Sequence, residues 1–295
     1  MDAAELRRDN LRGGLLMVAS MAAFSVEDTL IKGIAGAIPT GQIIATLGIT
    51  ATCALSMIAR SRGAPLWGPF VGHRMVILRN LGEMSGAIGF VTALVLMPLS
   101  VAAALFQTLP LVMTLGAALF LGERVGWRRW TAIAVGFAGV LVILRPTGAG
   151  FDIWAAGASM LAVVSLAVRD LATRRIGGGI PSLSLAVWGS AAFVPAGCVL
   201  MVIGGQTPVW PDLPQWGVLA AASTLGVTGY WLMVVATRVG EVSAVIPYRY
   251  SRILFSLVLG WIAFGERPDL AVYVGSAMIV GSGLYTFLRE RARRV

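Results

Sequence analysis

The sequence has almost none of the residues that bind metals or form disulfides. Among 295 residues there are one histidine, His73, and two cysteines, Cys53 and Cys198, which both lie inside apolar runs. Zinc and haem sites therefore lack a ligand set, and we expect neither a metal nor another cofactor. No Gly-rich phosphate loop, Ser/His/Asp set or paired-carboxylate motif occurs in a soluble context. These absences argue against an enzyme.

Charged residues are scarce as well. They make up 13% of the chain, whereas soluble domains contain roughly 25%. The formal net charge is +9, but the arginines occur in small groups between long apolar runs and form no continuous basic face. Because nucleic-acid binding needs such a face to follow the phosphates, we expect no nucleic-acid partner.

Apolar residues dominate the chain. They account for 57% of it, and the mean hydropathy of +0.83 indicates an integral membrane protein. The first apolar segment could be a cleaved signal peptide, but Glu27 and Asp28 follow too closely, and we favour a membrane span. A spanning helix needs about 20 apolar residues. Charges, prolines and glycines divide the chain into ten such segments, at 12–34, 40–59, 74–96, 98–121, 127–145, 152–174, 181–204, 213–237, 241–264 and 269–288.

Two stretches of the chain repeat each other. Residues 100–124 and 243–267 are similar apolar segments that both end in Gly-Glu-Arg, and they are separated by 143 positions. A spacing near half the length indicates that one unit was used twice, as in many transporters. We predict two repeats, residues 12–146 and 152–289, with five spans each.

The distribution of basic residues predicts the orientation. If the N-terminus is inside, sixteen lysines and arginines lie on the cytoplasmic side and three on the external side. Both termini are therefore predicted to be cytoplasmic. Since five is an odd number, the second repeat must enter the membrane inverted, which puts the turn at Glu123 inside and its copy at Glu266 outside. Substrates of such inverted repeats bind near the midplane.

Both halves resemble one family. Residues 89–146, with LSVAAALFQTLP, LGER and GFAGVLVILRP, are similar to the EamA repeat of the drug/metabolite transporter superfamily, as are residues 229–289, with VGEVSAVIPYRY and FGERP. Within the family, the ten spans and the PYRYSR segment resemble the YddG-type aromatic amino acid exporters. The resemblance implies an all-α fold of two inverted five-helix repeats, with a central cavity formed by spans one, three, four, six, eight and nine. Similar sequences carry S-adenosylmethionine, riboflavin or sugar-like metabolites.

Several ionisable residues lie inside the predicted spans. A charge at the bilayer centre costs about 2.5 to 3.5 kcal/mol, so such residues normally face a partner or a wet cavity. Asp28 and Asp170 occupy matching positions in the two halves, and each precedes a basic residue by four positions, Lys32 and Arg174. These pairs are either ion pairs that fasten helix ends or, together with Glu27, parts of a gate.

Arg79 and Glu83 are also four positions apart, in the middle of span three. They form either a structural pair or, with Arg79 in a gate, a site for substrate or protons. If protons drive transport, Glu83 is the first candidate for coupling and Asp28 the second.

Span nine contains a proline among polar residues. Pro247 removes a helical donor and opens the helix locally, so that nearby side chains can face a cavity. Helical spacing puts Tyr248, Arg252 and Phe255 on one stripe. Arg249 flanks this stripe and either faces the cavity or extends toward the cytoplasm.

Span four carries the matching residues of the first half. Phe106 and Gln107 correspond to Arg249 and Tyr250, whereas Pro110 corresponds to Ile253. We therefore expect the two helices to bend at different depths, at Pro110 and Pro247. Tyr230 in span eight adds an aromatic ring near the cavity or serves as an interfacial anchor.

These observations predict a bacterial inner-membrane secondary transporter that exports amino acids, including aromatic ones, by alternating access. The substrate carboxylate would bind Arg252 or Arg249 and its ammonium Glu83 or Asp28. Its ring would contact Phe106, Tyr248 or Tyr230. The alternatives are uptake of S-adenosylmethionine, riboflavin or a nucleoside-like metabolite and, from other classes, a membrane-embedded enzyme or a scaffold. The expected partners are the substrate, the lipid bilayer and coupled protons, and the chain is compatible with a monomer or an oligomer.

Overall fold

The computed structural model describes residues 3–122, 126–146, 151–176 and 179–291. These residues form helices joined by turns, with no strand among them, which confirms the predicted all-α class. The α-helices in this part of the chain are α1 (Ala3–Ile34), α2 (Thr40–Ser61), α3 (Arg74–Leu96), α4 (Leu99–Phe106), α5 (Leu109–Phe120), α6 (Trp127–Leu144), α7 (Ile153–Ile176), α8 (Ser182–Ala191), α9 (Phe193–Ile203), α10 (Leu213–Val239), α11 (Val242–Val245), α12 (Ser251–Phe264) and α13 (Leu270–Arg291).

The helices follow the ten predicted spans, three of which are broken. Span four divides into α4 and α5, span seven into α8 and α9, and span nine into α11, a 3-10 segment at Ile246–Tyr250 and α12. Within the described ranges, seven segments are long and apolar enough to cross a membrane, and Leu270–Thr286 is a shorter apolar helix. The chain is therefore a multi-pass membrane protein.

The helix pairs reveal an inverted relation between the halves. Helix α3 packs along α7, and its counterpart α10 packs along α1. In the same way α12 packs on α1, while α4 and α5 pack on α7. The remaining pairs, α6 with α13 and α2 with α8 and α9, combine equivalent spans of the two halves. Each half thus completes its packing with helices of the other.

Glycines allow the closest of these contacts. At the crossing of α6 and α13, a Cβ added to Gly275 would lie 2.6 Å from the carbonyl oxygen of Gly139 and 2.5 Å from Ile143 Cγ1. Small residues of this kind let two helix backbones touch, which is a main source of stability where lipid surrounds the helices.

We expect Gly275→Ala to destabilise the folded protein by about 1 to 3 kcal/mol, because the backbone of Gly139 cannot move away from the added methyl group. Gly281→Ala is the matched control, since Gly281 lies in the same helix and has open space at its Cβ position. This control should be neutral or more stable by up to about 1 kcal/mol. The stability of both variants is measured by unfolding the detergent-solubilised protein. Equal losses of stability would contradict the close contact between α6 and α13.

The broken helices of spans four and nine meet at their breaks. Gln107, between α4 and α5, donates from Nε2 to the carbonyl oxygen of Arg249 in the 3-10 segment, at 2.8 Å. The expectation that the two helices bend at different depths is therefore wrong, because the breaks fall at matching positions. Pro110 lies in the first turn of α5 and Pro247 at the start of the 3-10 segment, where a missing N–H costs little.

Candidate functional site

A buried ion pair joins the two halves. Asp28 lies in α1 and Arg252 in the first turn of α12, and Arg252 Nη2 donates to Asp28 Oδ2 at 2.6 Å. Their side chains are only 3% and 10% exposed. A charge this deep in the protein is stable only with a partner, so each residue depends on the other half of the chain.

Three phenylalanine rings surround the Arg252 guanidinium. Its central carbon lies 5.5 Å from the ring centre of Phe24, 5.3 Å from that of Phe90 and 5.2 Å from that of Phe106. The rings of Phe90 and Phe106 also contact each other, with centres 4.8 Å apart. All three distances are within the range at which a cation is attracted to an aromatic face. Asp28, Phe24, Phe90 and Phe106 together are called the aromatic cation site below.

The backbone of Arg252 is held independently of its side chain. Ser25 Oγ lies 3.4 Å from the Arg252 carbonyl oxygen, to which it donates, and 3.3 Å from Ser256 Oγ. By contrast, Arg252 Nε is buried and has no hydrogen-bond partner among the described residues. One donor of the guanidinium group is therefore unused in this conformation.

Glu27 lies beside this pair and has a different environment. Its carboxylate packs against the Cα atom of Gly226 in α10, where an added Cβ would be 2.5 Å from Oε1. Asp28 and Arg252 are within electrostatic range. Within the described part of the chain, however, no basic group comes within 4 Å of the Glu27 carboxylate. The site thus holds two carboxylates and one arginine.

A second charged cluster lies between α3 and α7. Glu83 is 3.6 Å from Arg79 Nη2, which confirms the predicted pair, and it also accepts from Arg169 Nη1 at 3.0 Å. Arg169 Nε donates to Asp170 at 2.7 Å. Arg79 packs against Gly189 of α8. A carboxylate between two arginines is well compensated, which favours the structural interpretation of Glu83.

Arg249 and Tyr230 lie near this second cluster. Arg249 is within electrostatic range of Asp170 and Arg169 of this cluster and also of Arg252, and Tyr230 is within range of Arg79 and Glu83. Neither residue belongs to the aromatic cation site.

Tyr248 lies on the side of span nine that faces α1, as Arg252 does. Its ring packs against Gly14 of α1, whereas Arg252 binds Asp28, which lies 14 positions further along the same helix. Tyr248 is 41% exposed and is not part of the aromatic cation site.

The lysine expected to pair with Asp28 has other partners. Lys32 Nζ lies 3.1 Å from Glu266 Oε1 and donates to the carbonyl oxygen of Met97. Glu266 also accepts from the backbone N–H of Leu99 at 2.7 Å and from that of Ser100 at 3.4 Å, at the N-terminus of α4. These contacts join span one, the start of span four and the turn before span ten on one face. We call them the Glu266 junction.

Position-matched residues of the two clusters carry different charges. Asp28 and Asp170 correspond, but Glu27 corresponds to Arg169, and the Glu83 position corresponds to Gly226. The cluster around Asp28 and Arg252 therefore joins α1 to α12 and has aromatic neighbours. The cluster around Glu83 joins α7 to α3 and contains more charged residues. The halves share a fold and differ in their polar interiors.

Sequence reasoning identified Asp28, Arg252 and Phe106, which the structure brings together, but it missed Phe24 and Phe90. The signal for Phe24 was its position one helical turn before Asp28. Phe90 lies two turns after Glu83, and only the packing of α3 directs it toward Arg252.

Comparisons with known proteins agree with this architecture. The sequence profile of the EamA-like transporter family matches residues 11–145 and, separately, residues 153–288. A crystal structure of a protein with 21% sequence identity superposes with a TM-score of 0.66, over 95% of this chain and 98% of that chain, so the two share a fold.

Curated relatives carry different substrates. A riboflavin transporter of Rhizobium johnstonii is 29% identical over 209 residues, which cover 70% of this chain and 68% of that protein. The pseudopaline exporter CntI of Pseudomonas aeruginosa is 26% identical over 278 residues, or 92% of this chain and 95% of the exporter. An S-adenosylmethionine uptake transporter of Rickettsia bellii is 25% identical over 217 residues, or 73% and 72% of the two chains.

Proposed function

The chain belongs to the EamA-like transporter family, and from this premise we propose that it is a bacterial inner-membrane secondary transporter that exports amino acids by alternating access. Aromatic amino acids are included, in line with the resemblance to YddG-type exporters. Both termini are assigned to the cytoplasm, on the basis of the arginine distribution.

The observation that carries the proposal is the Asp28–Arg252 pair inside three phenylalanine rings. A zwitterionic amino acid has a carboxylate for Arg252 and an ammonium group for Asp28, so it can replace each partner of the pair with a group of the same charge. Arginine binds a carboxylate through two parallel hydrogen bonds. An aromatic or apolar side chain would then pack on the rings.

The location of the pair fits alternating access. It lies between the halves, next to the point where the broken spans four and nine meet. Inverted repeats bind their substrates in such a place, often at discontinuous helices. The predicted orientation makes the Glu266 junction the external gate, which is closed in this conformation.

On the opposite face, other contacts join the halves. Asn10 Oδ1 accepts from the backbone N–H of Glu241 at 2.7 Å, and Arg175 donates to the carbonyl oxygen of Phe120. Opening one set of contacts while the other stays closed would expose the central pair to one side of the membrane at a time.

For proton coupling, the contacts favour Glu27 over Glu83 and over Asp28, which is itself paired with Arg252. Glu83 has two arginine partners, within 3.6 Å and 3.0 Å. Protonating it would leave two buried arginines with less compensation, which is costly. Glu27 has no such partner in the described ranges, so it can gain and lose a proton without breaking an ion pair.

A second candidate function is uptake of a cationic metabolite such as S-adenosylmethionine. The adjacent carboxylates of Glu27 and Asp28, together with three aromatic rings, favour it, because a sulfonium group is attracted to both. The name of the Rickettsia bellii relative points to the same substrate. S-adenosylmethionine also has a carboxylate that Arg252 could bind, so only a transport measurement separates the two candidates.

Counterflow in liposomes tests the proposal. Vesicles loaded with unlabelled amino acid should accumulate the labelled amino acid, and the same vesicles should not exchange labelled S-adenosylmethionine or riboflavin. Protein-free liposomes and the Arg252→Gln variant are the controls. If S-adenosylmethionine or riboflavin exchanges and no amino acid does, the amino acid assignment is wrong.

A pH gradient separates the candidates for proton coupling. In the wild type, we expect an inwardly directed proton gradient to accelerate amino acid export about 5-fold or more, because each coupled proton that moves inward supplies about 1.4 kcal/mol of free energy per pH unit. Glu27→Gln should remove this acceleration and keep counterflow, since Gln preserves the shape and cannot exchange a proton. Glu83→Gln should keep the acceleration. Acceleration that survives Glu27→Gln and disappears in Glu83→Gln would overturn this order.

A further inference from the structure

The surroundings of the Arg252 guanidinium resemble those of a bound ligand cation. One carboxylate lies 2.6 Å from Nη2, and three ring centres lie 5.2 to 5.5 Å from the central carbon. Proteins that bind quaternary ammonium ligands surround the cation with aromatic faces in the same way. Here the cation inside the aromatic cation site is a side chain of the transporter itself.

We propose that Arg252 occupies the place of the substrate's cationic group and leaves it when the substrate binds, which restricts transport to molecules that also carry a carboxylate. The inference rests on the proposed function, because it states how the same site selects zwitterions. Arg252 is therefore a specificity-determining residue as well as a binding residue.

The restriction follows from the cost of an unpaired buried charge. A cation without a carboxylate could enter the aromatic cation site only by displacing Arg252 from Asp28, and this would leave a buried guanidinium without a partner. An amino acid brings its own carboxylate, so the displaced Arg252 stays paired. The buried surroundings of Arg252 make the difference large, since its side chain is only 10% exposed.

The contacts of Arg252 permit this displacement. Asp28 is its sole side-chain hydrogen-bond partner within the described residues, and Nε is unused. Ser25 holds the backbone carbonyl, so the long side chain can move while the helix stays in place. Arg252 also lies directly after the 3-10 segment, where the helix is already interrupted.

Removal of Arg252 should therefore change the substrate class. Without the guanidinium, Asp28 and the three rings are left without their internal cation. Such a site should accept an organic cation that has no carboxylate, and it should lose its preference for amino acids.

Phenylalanine and phenethylammonium, the same molecule without the carboxylate, are suitable probes. The full chain is purified in detergent, and ligand affinity is measured from the shift in unfolding temperature. Wild type should bind phenylalanine at least 10-fold more tightly than phenethylammonium. Arg252→Ala and Arg252→Gln should reverse this order, with at least a 10-fold gain in phenethylammonium affinity. Arg252→Lys should keep the wild-type order, because it keeps the cation. Adding Asp28→Asn to Arg252→Ala should remove phenethylammonium binding.

The outcomes distinguish the inference from the proposed function. If the wild type binds phenylalanine and the folded Arg252→Ala and Arg252→Gln variants do not gain phenethylammonium binding, the inference is wrong and the amino acid assignment stands. If the wild type binds no amino acid but these variants bind phenethylammonium, the inference about the aromatic cation site is correct and the amino acid assignment is wrong. If neither occurs, both are wrong.

A measurement on the wild type alone covers the case in which the variants do not fold. Phenethylammonium should inhibit phenylalanine counterflow only at concentrations at least 10-fold above those at which unlabelled phenylalanine inhibits. Inhibition by the two compounds at equal concentrations would contradict the restriction, because it would mean that a cation without a carboxylate enters the site freely.

Discussion

Asp28→Asn is expected to lower the initial rate of amino acid counterflow at least 50-fold and to destabilise the folded protein by about 3 to 5 kcal/mol. Asparagine has nearly the same shape as aspartate, so the change removes the charge and little else. Arg252 would then be a buried cation without its 2.6 Å partner. The substrate ammonium would lose its partner as well. Liposome counterflow and unfolding in detergent measure the two effects.

Asp170→Asn is the matched control for this change. Asp170 occupies the equivalent position of the second half, but its side chain is 29% exposed, and its partner Arg169 keeps Glu83 at 3.0 Å. We expect a stability loss within about 1 kcal/mol, because the part-buried Arg169 keeps Glu83 as a partner. Equal losses in the two variants would contradict the asymmetry between the clusters. The double variant Asp28→Asn/Arg252→Gln should recover much of the stability and none of the transport, since it leaves no buried charge unpaired.

Glu266→Gln is expected to open the face of the protein that carries the Glu266 junction, with at least a 10-fold increase in labelling of a cysteine placed at Val101. Glutamine cannot form the ion pair with Lys32, and as a neutral group it binds the N-terminus of α4 less strongly. Val101 lines a cavity of about 310 Å³ next to Glu266 and is half-buried in the closed conformation. The measurement is the rate of reaction with an impermeant maleimide.

This experiment requires the Cys53→Ser/Cys198→Ser background, because both native cysteines are exposed. Asp269→Asn is the control variant. Asp269 pairs with Arg145 at 2.7 Å on the same side of the protein, but both side chains are more than half exposed. Loss of the Asp269–Arg145 ion pair should leave the labelling rate at Val101 within 2-fold of the rate in the protein without Asp269→Asn. Exposed ion pairs contribute little to stability. An increase with Asp269→Asn and none with Glu266→Gln would refute the role of the Glu266 junction.

The helices and their order were predictable because they depend on local composition. Long apolar runs separated by charges and glycines gave ten spans, and the repeated Gly-Glu-Arg segment gave the two halves. Two of the three broken spans were foreseen, at Pro110 and Pro247, although the break in span four comes earlier, at Gln107, and the break in span seven was not predicted. A proline marks a weak position in a helix, but packing decides where the helix opens.

The ion pairs were harder to predict because they join distant parts of the chain. A spacing of four residues suggested Asp28 with Lys32, whereas Asp28 binds Arg252 and Lys32 binds Glu266. Local spacing favours a neighbour by only a few tenths of a kcal/mol. A buried partner from another helix is worth more, and its position depends on how the two halves pack. The copy of Glu266 in the first repeat, Glu123, lies outside the described residues.

The separation of Asp28 and Arg252 along the chain has a consequence for biosynthesis. The two residues are 224 positions apart, so at about 5 to 20 residues per second the ribosome needs about 11 to 45 s to complete the pair. During this interval a charged aspartate sits in a nascent helix hairpin without its arginine. A chain that ends before α12 should therefore be less stable in the membrane than the full-length chain, because Asp28 has no arginine partner in it.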